Sequence, residues 1–193
     1  MQEYLKARIV EHIEITDKLM QDAKLLEVIS KAAIIMVDAF RANKKLLICG
    51  NGGSAADSQH IATELVSRFY KERKALDAEA LTINTSSLTA IGNDYSFDKV
   101  FSRQIEAKGN EGDVLLGIST SGNSKNVIEG IIAAKKIGMA TVSLTGENRG
   151  AQIYNLSDYC ICVPSNITPR IQEAHILIGH ILCEFIEEKL FAI

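Results

Sequence analysis

Five short apolar segments, separated by segments with helical spacing, run through most of this sequence, and this alternation restricts the folds open to the chain. The predicted strands are residues 46–49, 78–84, 114–119, 140–145 and 159–163. Nearly continuous apolar character is typical of strands buried on both faces, and strands linked through helices run parallel. The sequence therefore predicts an α/β, doubly wound fold of the flavodoxin or Rossmann type, with a five-stranded parallel sheet and helices on both faces.

The residues before the first strand have a different pattern. Residues 2–42 contain no proline or glycine, and their apolar residues recur at helical spacing with an interruption at Asp22, which predicts two helices. A doubly wound core does not require this pair, so we assign it to oligomerisation; a simple cover for the sheet is the alternative. We expect a single domain, 1–193, made of N-terminal helices (1–42) and an α/β core (43–193).

Composition and charge argue against several classes of protein. The net charge is −3 and the pI is about 5.8, whereas a nucleic-acid partner favours a basic chain. No apolar run approaches the roughly 18 residues needed to cross a bilayer, and the acid-bearing N-terminus is unlike a signal or transit peptide. The cysteines lie in apolar contexts and are interpreted as reduced thiols, and Cys160-Ile161-Cys162 lacks the second pair of a zinc–thiolate site. We expect a cytoplasmic protein with no nucleic-acid or membrane partner.

The stretch 46–64 combines a strand, a glycine turn and a helix. Gly50-Asn51-Gly52-Gly53 permits positive φ and close approach of a ligand. Ser54 stands where a helix N-cap is expected, so free N–H groups at this helix N-terminus form an anion site. His60 and Glu64 project from one face of the same helix and offer an acid/base or metal pair.

A second loop, Ser119-Thr120-Ser121-Gly122-Asn123-Ser124, follows a buried strand and precedes a helix. Hydroxyls and helix N-terminal amides suit the acceptor oxygens of a phosphate monoester; an ordinary capped turn is the alternative. No Walker lysine follows, which argues against nucleotide triphosphate hydrolysis. The 50–55 turn fits the dinucleotide fingerprint, but the second strand ends in Asn84-Thr85 instead of the required acid, which argues against a nicotinamide cofactor.

Together these motifs resemble the phosphoheptose isomerase family of the sugar-isomerase (SIS) domain superfamily. The resemblance is carried by Gly50 to Ser54, His60-x-x-x-Glu64, Gly92-Asn93-Asp94, Gly112 to Ser124 and Arg170-Ile171-Gln172-Glu173-x-His175, and it covers essentially the whole chain. It implies interconversion of D-sedoheptulose 7-phosphate and D-glycero-D-manno-heptose 7-phosphate, the first step of bacterial ADP/GDP-heptose biosynthesis. It also implies a cytoplasmic homotetramer with sites shared between subunits.

The resemblance further implies roles for individual residues. Glu64 matches the family's base and His180 its partner acid/base, acting on opposite sides of the sugar in an enediol-type proton transfer. One zinc ion per subunit is implied, held by His60, Glu64, Gln172 and His180. About 12 Å of helix rise and about 80° of rotation separate Gln172 from His180, so both reach one ion only with extended side chains or a distorted first turn. Spacing alone does not choose between His175 and His180; the resemblance selects His180.

The substrate contacts implied by the resemblance lie in both loops and at three other places. They are Asn51, Gly52, Gly53, Ser54, Glu64, Asn93, Asp94, Ser119, Thr120, Ser121, Ser124 and Gln172. For Asn93 and Asp94, in a predicted turn between two helices, a plain turn or cap is the alternative. One position departs from the family: Pro169 stands where an acid precedes the Arg-Ile-Gln run, so a proton-transfer role at that position is lost.

Three alternative functions are left open by these patterns. A close relative resembles this chain throughout but is a tetrameric adaptor that binds the replication initiator, and it lacks the Glu and His pair present here. A sugar-phosphate sensor needs the hydroxyl loop but not Glu64. An isomerase of another sugar phosphate, such as a hexulose or pentulose phosphate, needs both loops and the pair.

Overall fold

The computed structural model of the protein describes residues 1–191, so residues 192 and 193 of the predicted domain lie outside the described residues. The strands are β1 Leu46–Gly50, β2 Ala78–Ala80, β3 Val114–Ile118, β4 Ala140–Thr145 and β5 Tyr159–Cys162. The helices are α1 Gln2–Gln21, α2 Ala23–Arg41, α3 Gly53–Val66, α4 Thr85–Asp94, α5 Ser102–Lys108, α6 Lys125–Ile137, α7 Gln152–Leu156 and α8 Thr168–Phe191, with a 3-10 turn at Phe97–Lys99. All strand pairs are parallel in the order β2-β1-β3-β4-β5, which confirms the predicted α/β fold.

Each face of the sheet is covered by its own hydrophobic cluster, because alternate strand residues point to opposite faces. Leu46 and Ile48 belong to the cluster formed with α1, α2, α3 and α8. Leu47 belongs to the cluster formed with α5, α6 and α7. The helix α2 therefore covers the sheet, whereas α1 buries only Ile15 and Leu19 of its own residues.

Asp22 separates the two N-terminal helices, as predicted. Its carboxylate accepts hydrogen bonds from the N–H groups of Lys24 and Leu25, both at 3.0 Å, and so caps α2. An N-cap of this kind satisfies donors that have no partner within the helix. Asp22 therefore marks the start of a separate helix and not a kink in one long helix.

The prediction that Ser54 caps the helix after the glycine turn was wrong. The helix α3 begins at Gly53 with Gly52 as its N-cap residue, so Ser54 lies inside the first turn. Gly52 takes φ 55°, ψ −120°, a conformation that glycine adopts without a steric penalty. The helix ends at Val66, and beyond it the backbone N–H groups of 69–71 donate to the buried carboxylate of Glu187 instead of continuing the helix.

Further boundaries differ between residues 78 and 108. The predicted strand 78–84 ends at Ala80, because Asn84 accepts a hydrogen bond from the Ser87 N–H at 2.9 Å and starts α4. That helix continues to Asp94, so the predicted turn at 92–95 is mostly helical. The helix expected after that turn is divided into the 3-10 turn and α5, and α7 was not predicted.

Within residues 1–191, all four cysteines are free thiols. None of the described helices is both long and apolar enough to cross a membrane.

Candidate active site

The candidate active site lies where β1 and β3 end, at the edge where open parallel sheets bind ligands. Gly50 pairs with Ile118, so the glycine loop and the hydroxyl loop leave the sheet side by side. The side-chain amides of Asn51 and Asn126 exchange two hydrogen bonds, at 2.9 and 2.8 Å, and tie the glycine loop to α6. Asn126 was not predicted as a site residue, because only the packing of α6 against the loop reveals its partner.

The hydroxyl loop is organised by a bond between its two ends. Ser119 is buried and its Oγ lies 2.9 Å from the Oγ of Ser124, the N-cap residue of α6. Gly122 turns the loop with φ 69°. Thr120 and Ser121 line a cleft of about 260 Å³. Free N–H groups of the first turn of α6 and the loop hydroxyls together form a site suited to a phosphate.

His60, Glu64 and His180 form one group, contributed by α3 and α8. His60 Nε2 lies 2.9 Å from His180 Nε2 and 3.3 Å from Glu64 Oε1. One ligand atom from each of the three residues lies within 4.8 Å of the others. Three of the four predicted metal ligands are thus brought together by the fold.

This donor set fits a zinc ion. Two imidazole nitrogens and a carboxylate oxygen are ligands that zinc uses, and on a tetrahedral ion two nitrogen ligands lie about 3.3 Å apart. The separation of His60 Nε2 from Glu64 Oε1 has this value, and the 2.9 Å between the two histidines is a few tenths of an ångström shorter. The group is therefore a possible metal site as well as an acid/base group.

The same distances bear on the roles expected of Glu64 and His180. Their ligand atoms lie within 4.8 Å of one another, so one chain brings both groups to one place. Their action on opposite sides of the sugar stays a prediction.

Gln172 lies against the start of α3, because α3 and α8 pack side by side. A Cβ on Gly53 would lie 2.3 Å from Gln172 Nε2, so only glycine leaves room for this amide. Further along, Gly179 packs against Ile61, and a Cβ there would lie 2.8 Å from its Cδ1. Gln172 thus contacts the glycine loop end of α3, and its participation in a metal site stays a prediction.

The other predicted contacts lie in three different environments. Ser54 is buried, and its carbonyl accepts a hydrogen bond from Ser58 Oγ at 2.7 Å. Asn93 and Asp94 are exposed in the last turn of α4, where Asn93 Nδ2 donates to Asp94 Oδ1 at 2.8 Å. Pro169 is exposed in the first turn of α8.

The two histidines of α8 have different surroundings. His175 is fully buried, burial lowers its pKa to about 4, and neither ring nitrogen has a hydrogen-bond partner among the described residues. His180 is half-buried beside His60, and the ring of Phe69 lies 5.9 Å from its ring. The fold therefore directs His180, and not His175, towards the α3 histidine.

Asp57 is a candidate site residue that the sequence analysis missed. Burial raises the pKa of its carboxyl, although the nearby charge of His60 acts to lower it. Its Oδ2 atom is buried and has no hydrogen-bond partner within residues 1–191. The spacing of Asp57, His60 and Glu64 along one helix face was the available signal, since residues three and four apart are neighbours on a helix. Asp57 is therefore a third titratable side chain on α3, beside His60 and Glu64.

Comparison with known proteins identifies the family of this chain. The SIS domain family matches residues 12–146. A phosphoheptose isomerase from Clostridium acetobutylicum is 52% identical over 191 residues, which cover 99% of this chain and 97% of the relative. One from Nitratiruptor is 52% identical over 189 residues, covering 98% of this chain and 100% of the relative.

Two solved structures that are similar to this chain belong to the same family as these relatives. The structure of a phosphoheptose isomerase from Neisseria gonorrhoeae has a TM-score of 0.90 and 45% identity to this chain, covering 97% of this chain and 98% of that one. A phosphoheptose isomerase from Francisella tularensis has a TM-score of 0.92 at 35% identity, covering 97% and 98%. The resemblance seen in the motifs is confirmed over nearly the full length, and the chain belongs to the phosphoheptose isomerase family of SIS-domain isomerases.

Proposed function

We propose that this isomerase interconverts D-sedoheptulose 7-phosphate and D-glycero-D-manno-heptose 7-phosphate, at the start of bacterial ADP/GDP-heptose biosynthesis. The observation that supports this most is the group His60, Glu64 and His180, within 4.8 Å of one another on the two helices that flank the glycine loop. An aldose–ketose isomerisation needs a base, a partner for the proton on oxygen, and a fixed phosphate.

The phosphate is assigned to the hydroxyl loop. Ser119, Thr120, Ser121 and Ser124 supply hydroxyls, and the first turn of α6 supplies N–H groups and the positive end of the helix dipole. The glycine loop, Asn51 to Gly53 with Ser54, lies beside it and is assigned to the sugar chain. Asn93, Asp94 and Gln172 are assigned to sugar hydroxyls.

Proton transfer is assigned to Glu64 and His180. The Glu64 carboxylate takes the proton from C1 of the ketose and returns it to C2, and His180 moves the proton between the two oxygens. Carbon and oxygen of one enediol are neighbouring atoms, so groups within 4.8 Å of each other reach both. His60, 2.9 Å from His180, positions its ring.

One zinc ion per subunit is proposed at this group, held by His60, Glu64 and His180, with Gln172 as the expected fourth ligand. When bound, zinc acts as a Lewis acid that polarises the substrate carbonyl. The donor chemistry of the three clustered residues supports this assignment.

A cytoplasmic homotetramer with shared sites is the proposed assembly, with the N-terminal helices (1–42) serving oligomerisation. The helix α1 supports this, because it exposes Leu5, Ile9 and Ile13, with 51%, 59% and 57% of their surface accessible. Tyr95 and Phe97, each 61% accessible, form a second apolar surface directly after Asn93 and Asp94. Exposed apolar surface of this extent is typical of protein–protein contacts.

The adaptor and sensor alternatives are not favoured by the comparisons, since the relatives of high identity are named isomerases. Substrate choice is tested by measuring kcat/KM for sedoheptulose 7-phosphate beside a hexulose and a pentulose phosphate. We expect the heptulose phosphate to have the highest kcat/KM. A pentulose or hexulose phosphate turned over faster would contradict the substrate assignment while leaving the isomerase class intact.

A further inference from the structure

Phe69 lies against the ring of His180, on the segment that follows α3. The centroids of the two rings are 5.9 Å apart and the rings are tilted by 45°, within the range of paired aromatic side chains. The ring of His60 lies 5.0 Å from that of His180, at an interplanar angle of 61°. The imidazole of His180 therefore contacts one ring from α3 and a second ring from the segment after it. The proposed chemistry uses the two histidines but not Phe69.

The segment that carries Phe69 is held by a single carboxylate. The backbone N–H groups of Phe69, Tyr70 and Lys71 donate to Glu187, at 3.2, 2.8 and 2.8 Å. Glu187 is buried and follows His180 by seven residues on α8, and residues at this spacing share one face of a helix. One face of α8 thus carries both His180 and the group that fixes the backbone of Phe69.

Arg73 joins this carboxylate to the end of α3. Its Nε donates to Glu187 Oε2 at 2.9 Å. Its Nη1 and Nη2 donate to the carbonyls of Leu65 and Glu64, at 2.7 and 2.8 Å. Both carbonyls belong to the last turn of α3, where carbonyls have no partner within the helix. The buried ion pair therefore fixes the backbone of Glu64 together with the segment that carries Phe69.

The imidazole of His180 needs support from its neighbours, because its own torsion does not set the plane of the ring. The outer torsion of a histidine side chain is broad and roughly two-fold, so packing decides how the ring is turned. In this structure His180 Nε2 points to His60 Nε2, at 2.9 Å. Removal of the Phe69 ring would leave space beside the imidazole, into which it could turn, and Nε2 would then move away from His60.

We propose that Phe69 is a positioning residue for His180. The Phe69 ring sets the plane of the imidazole and so directs Nε2 towards His60 and the proposed zinc site. This inference rests on the proposed function, because it deepens the role assigned to His180. Phe69 acts through His180, and the substrate contacts are made by other residues.

The kinetic test compares the parent with Phe69→Leu and Phe69→Met, which both keep an apolar side chain, with zinc content and circular dichroism recorded for each. We expect kcat for sedoheptulose 7-phosphate to fall by about 10- to 100-fold, the range for a misplaced catalytic group or loss of a group that orients a metal ligand. KM should change little, because the phosphate is assigned to the hydroxyl loop and this binding is kept. A purely structural role would lower the melting temperature without this separation of kcat from KM.

Phe185→Leu is the matched control for this substitution. Phe185 is half-buried against the same hydrophobic cluster as Phe69, and its ring lies under Lys189 Nζ, at 5.3 Å. We expect this variant to keep the kcat of the parent. A fall in kcat for the Phe69 variants no larger than that for Phe185→Leu would overturn the proposal.

Crystal structures of the parent and of the Phe69 variants report the ring directly and require no substrate. We expect His180 Nε2 to face His60 Nε2 in the parent and the His180 ring to be turned in the variants. A His180 ring that keeps the parent position in the variants would overturn the proposal, whatever the turnover. A parent that does not turn over the sugar phosphate would instead contradict the proposed function, and the crystal structures would still decide the role of Phe69.

Discussion

His60 Nε2 and His180 Nε2 lie 2.9 Å apart, although 120 residues separate them in the chain. Two imidazole nitrogens at this distance repel when both carry a proton, and the contact is favourable when they share one proton or one cation. The fold achieves the contact by packing α3 and α8 side by side through Gly53 and Gly179.

Metal content tests the role of the pair. We expect the purified protein to contain about one zinc per chain, and dialysis against a chelator to lower its turnover until zinc is restored. His60→Gln should lose the zinc, because it removes one of three clustered ligands. His12→Gln is the control histidine, since it lies on α1 beside Glu173 and should leave zinc content unchanged. Equal zinc in parent and His60→Gln, measured by atomic emission, would contradict this site.

Gly53→Ala tests the contact between the glycine loop and Gln172. The added methyl would lie 2.3 Å from Gln172 Nε2, so the amide must move away. We expect kcat/KM to fall by about 10- to 100-fold, as for a misplaced substrate-positioning group, while the melting temperature changes little. Gly92→Ala is the control, because its new methyl would meet only Val100 at 3.9 Å. An unchanged kcat/KM for Gly53→Ala would show that Gln172 has no role in turnover.

His175 makes stability depend on pH. Burial lowers its pKa to about 4, below its value of 6.5 in the unfolded chain. The unfolded state then binds more protons between these values, so stability falls as pH drops from about 6.5 to about 4, by up to about 3 kcal/mol. We expect His175→Leu to lose less stability over this range than the parent, by urea unfolding at pH 7 and pH 5. Parallel losses in both proteins would refute the assignment.

Glu187 and Arg73 form a buried ion pair that holds the chain after α3. Arg73 Nε lies 2.9 Å from Glu187 Oε2, and both side chains are 2% exposed. Burial alone would raise the pKa of Glu187, but backbone N–H groups of Tyr70, Lys71 and Phe69 and the Arg73 side chain hold it below its ordinary value. The pair therefore stabilises the fold above the unfolded pKa of about 4.3, and this contribution is lost as pH falls through the lower folded value.

Glu187→Gln should cost about 3 kcal/mol at pH 7, because it leaves the buried Arg73 charge unpaired. Glu27→Gln is the matched control, since the Glu27–Lys31 pair is exposed to solvent and should contribute much less to stability. Denaturant unfolding measures both. A loss for Glu187→Gln as small as that of the control would mean that the loop after α3 does not depend on this pair.

The sequence predicted the sheet correctly because each strand is an apolar run with a helix pattern after it. The predicted end of β2 was wrong, because the strand stops at Ala80. The Asn84 cap of α4 competes with strand extension, and the apolar pattern of the sequence does not reveal this competition. The start of α3 was also misplaced, since a glycine N-cap at Gly52 leaves no side-chain signal.

Within the site, local spacing gave the His60 and Glu64 pair and the hydroxyl loop. Contacts between distant segments could not be predicted from local spacing. The approach of His180 to His60 and of Gln172 to Gly53 depends on how α3 and α8 pack. The choice of His180 over His175 needed the family resemblance, because both lie on an apolar helix with similar neighbours.

We propose that Glu64 transfers the proton in the isomerisation of sedoheptulose 7-phosphate. The most direct measurement is turnover of this substrate by the parent and by Glu64→Gln, with zinc content measured for both because Glu64 is also a proposed zinc ligand, and with folding checked by circular dichroism. We predict turnover by the parent and a fall in kcat of about 100- to 10,000-fold in the variant, the range for loss of a general base. Parent-like turnover by Glu64→Gln would contradict the account, and so would a folded, zinc-loaded parent that does not turn over the sugar phosphate.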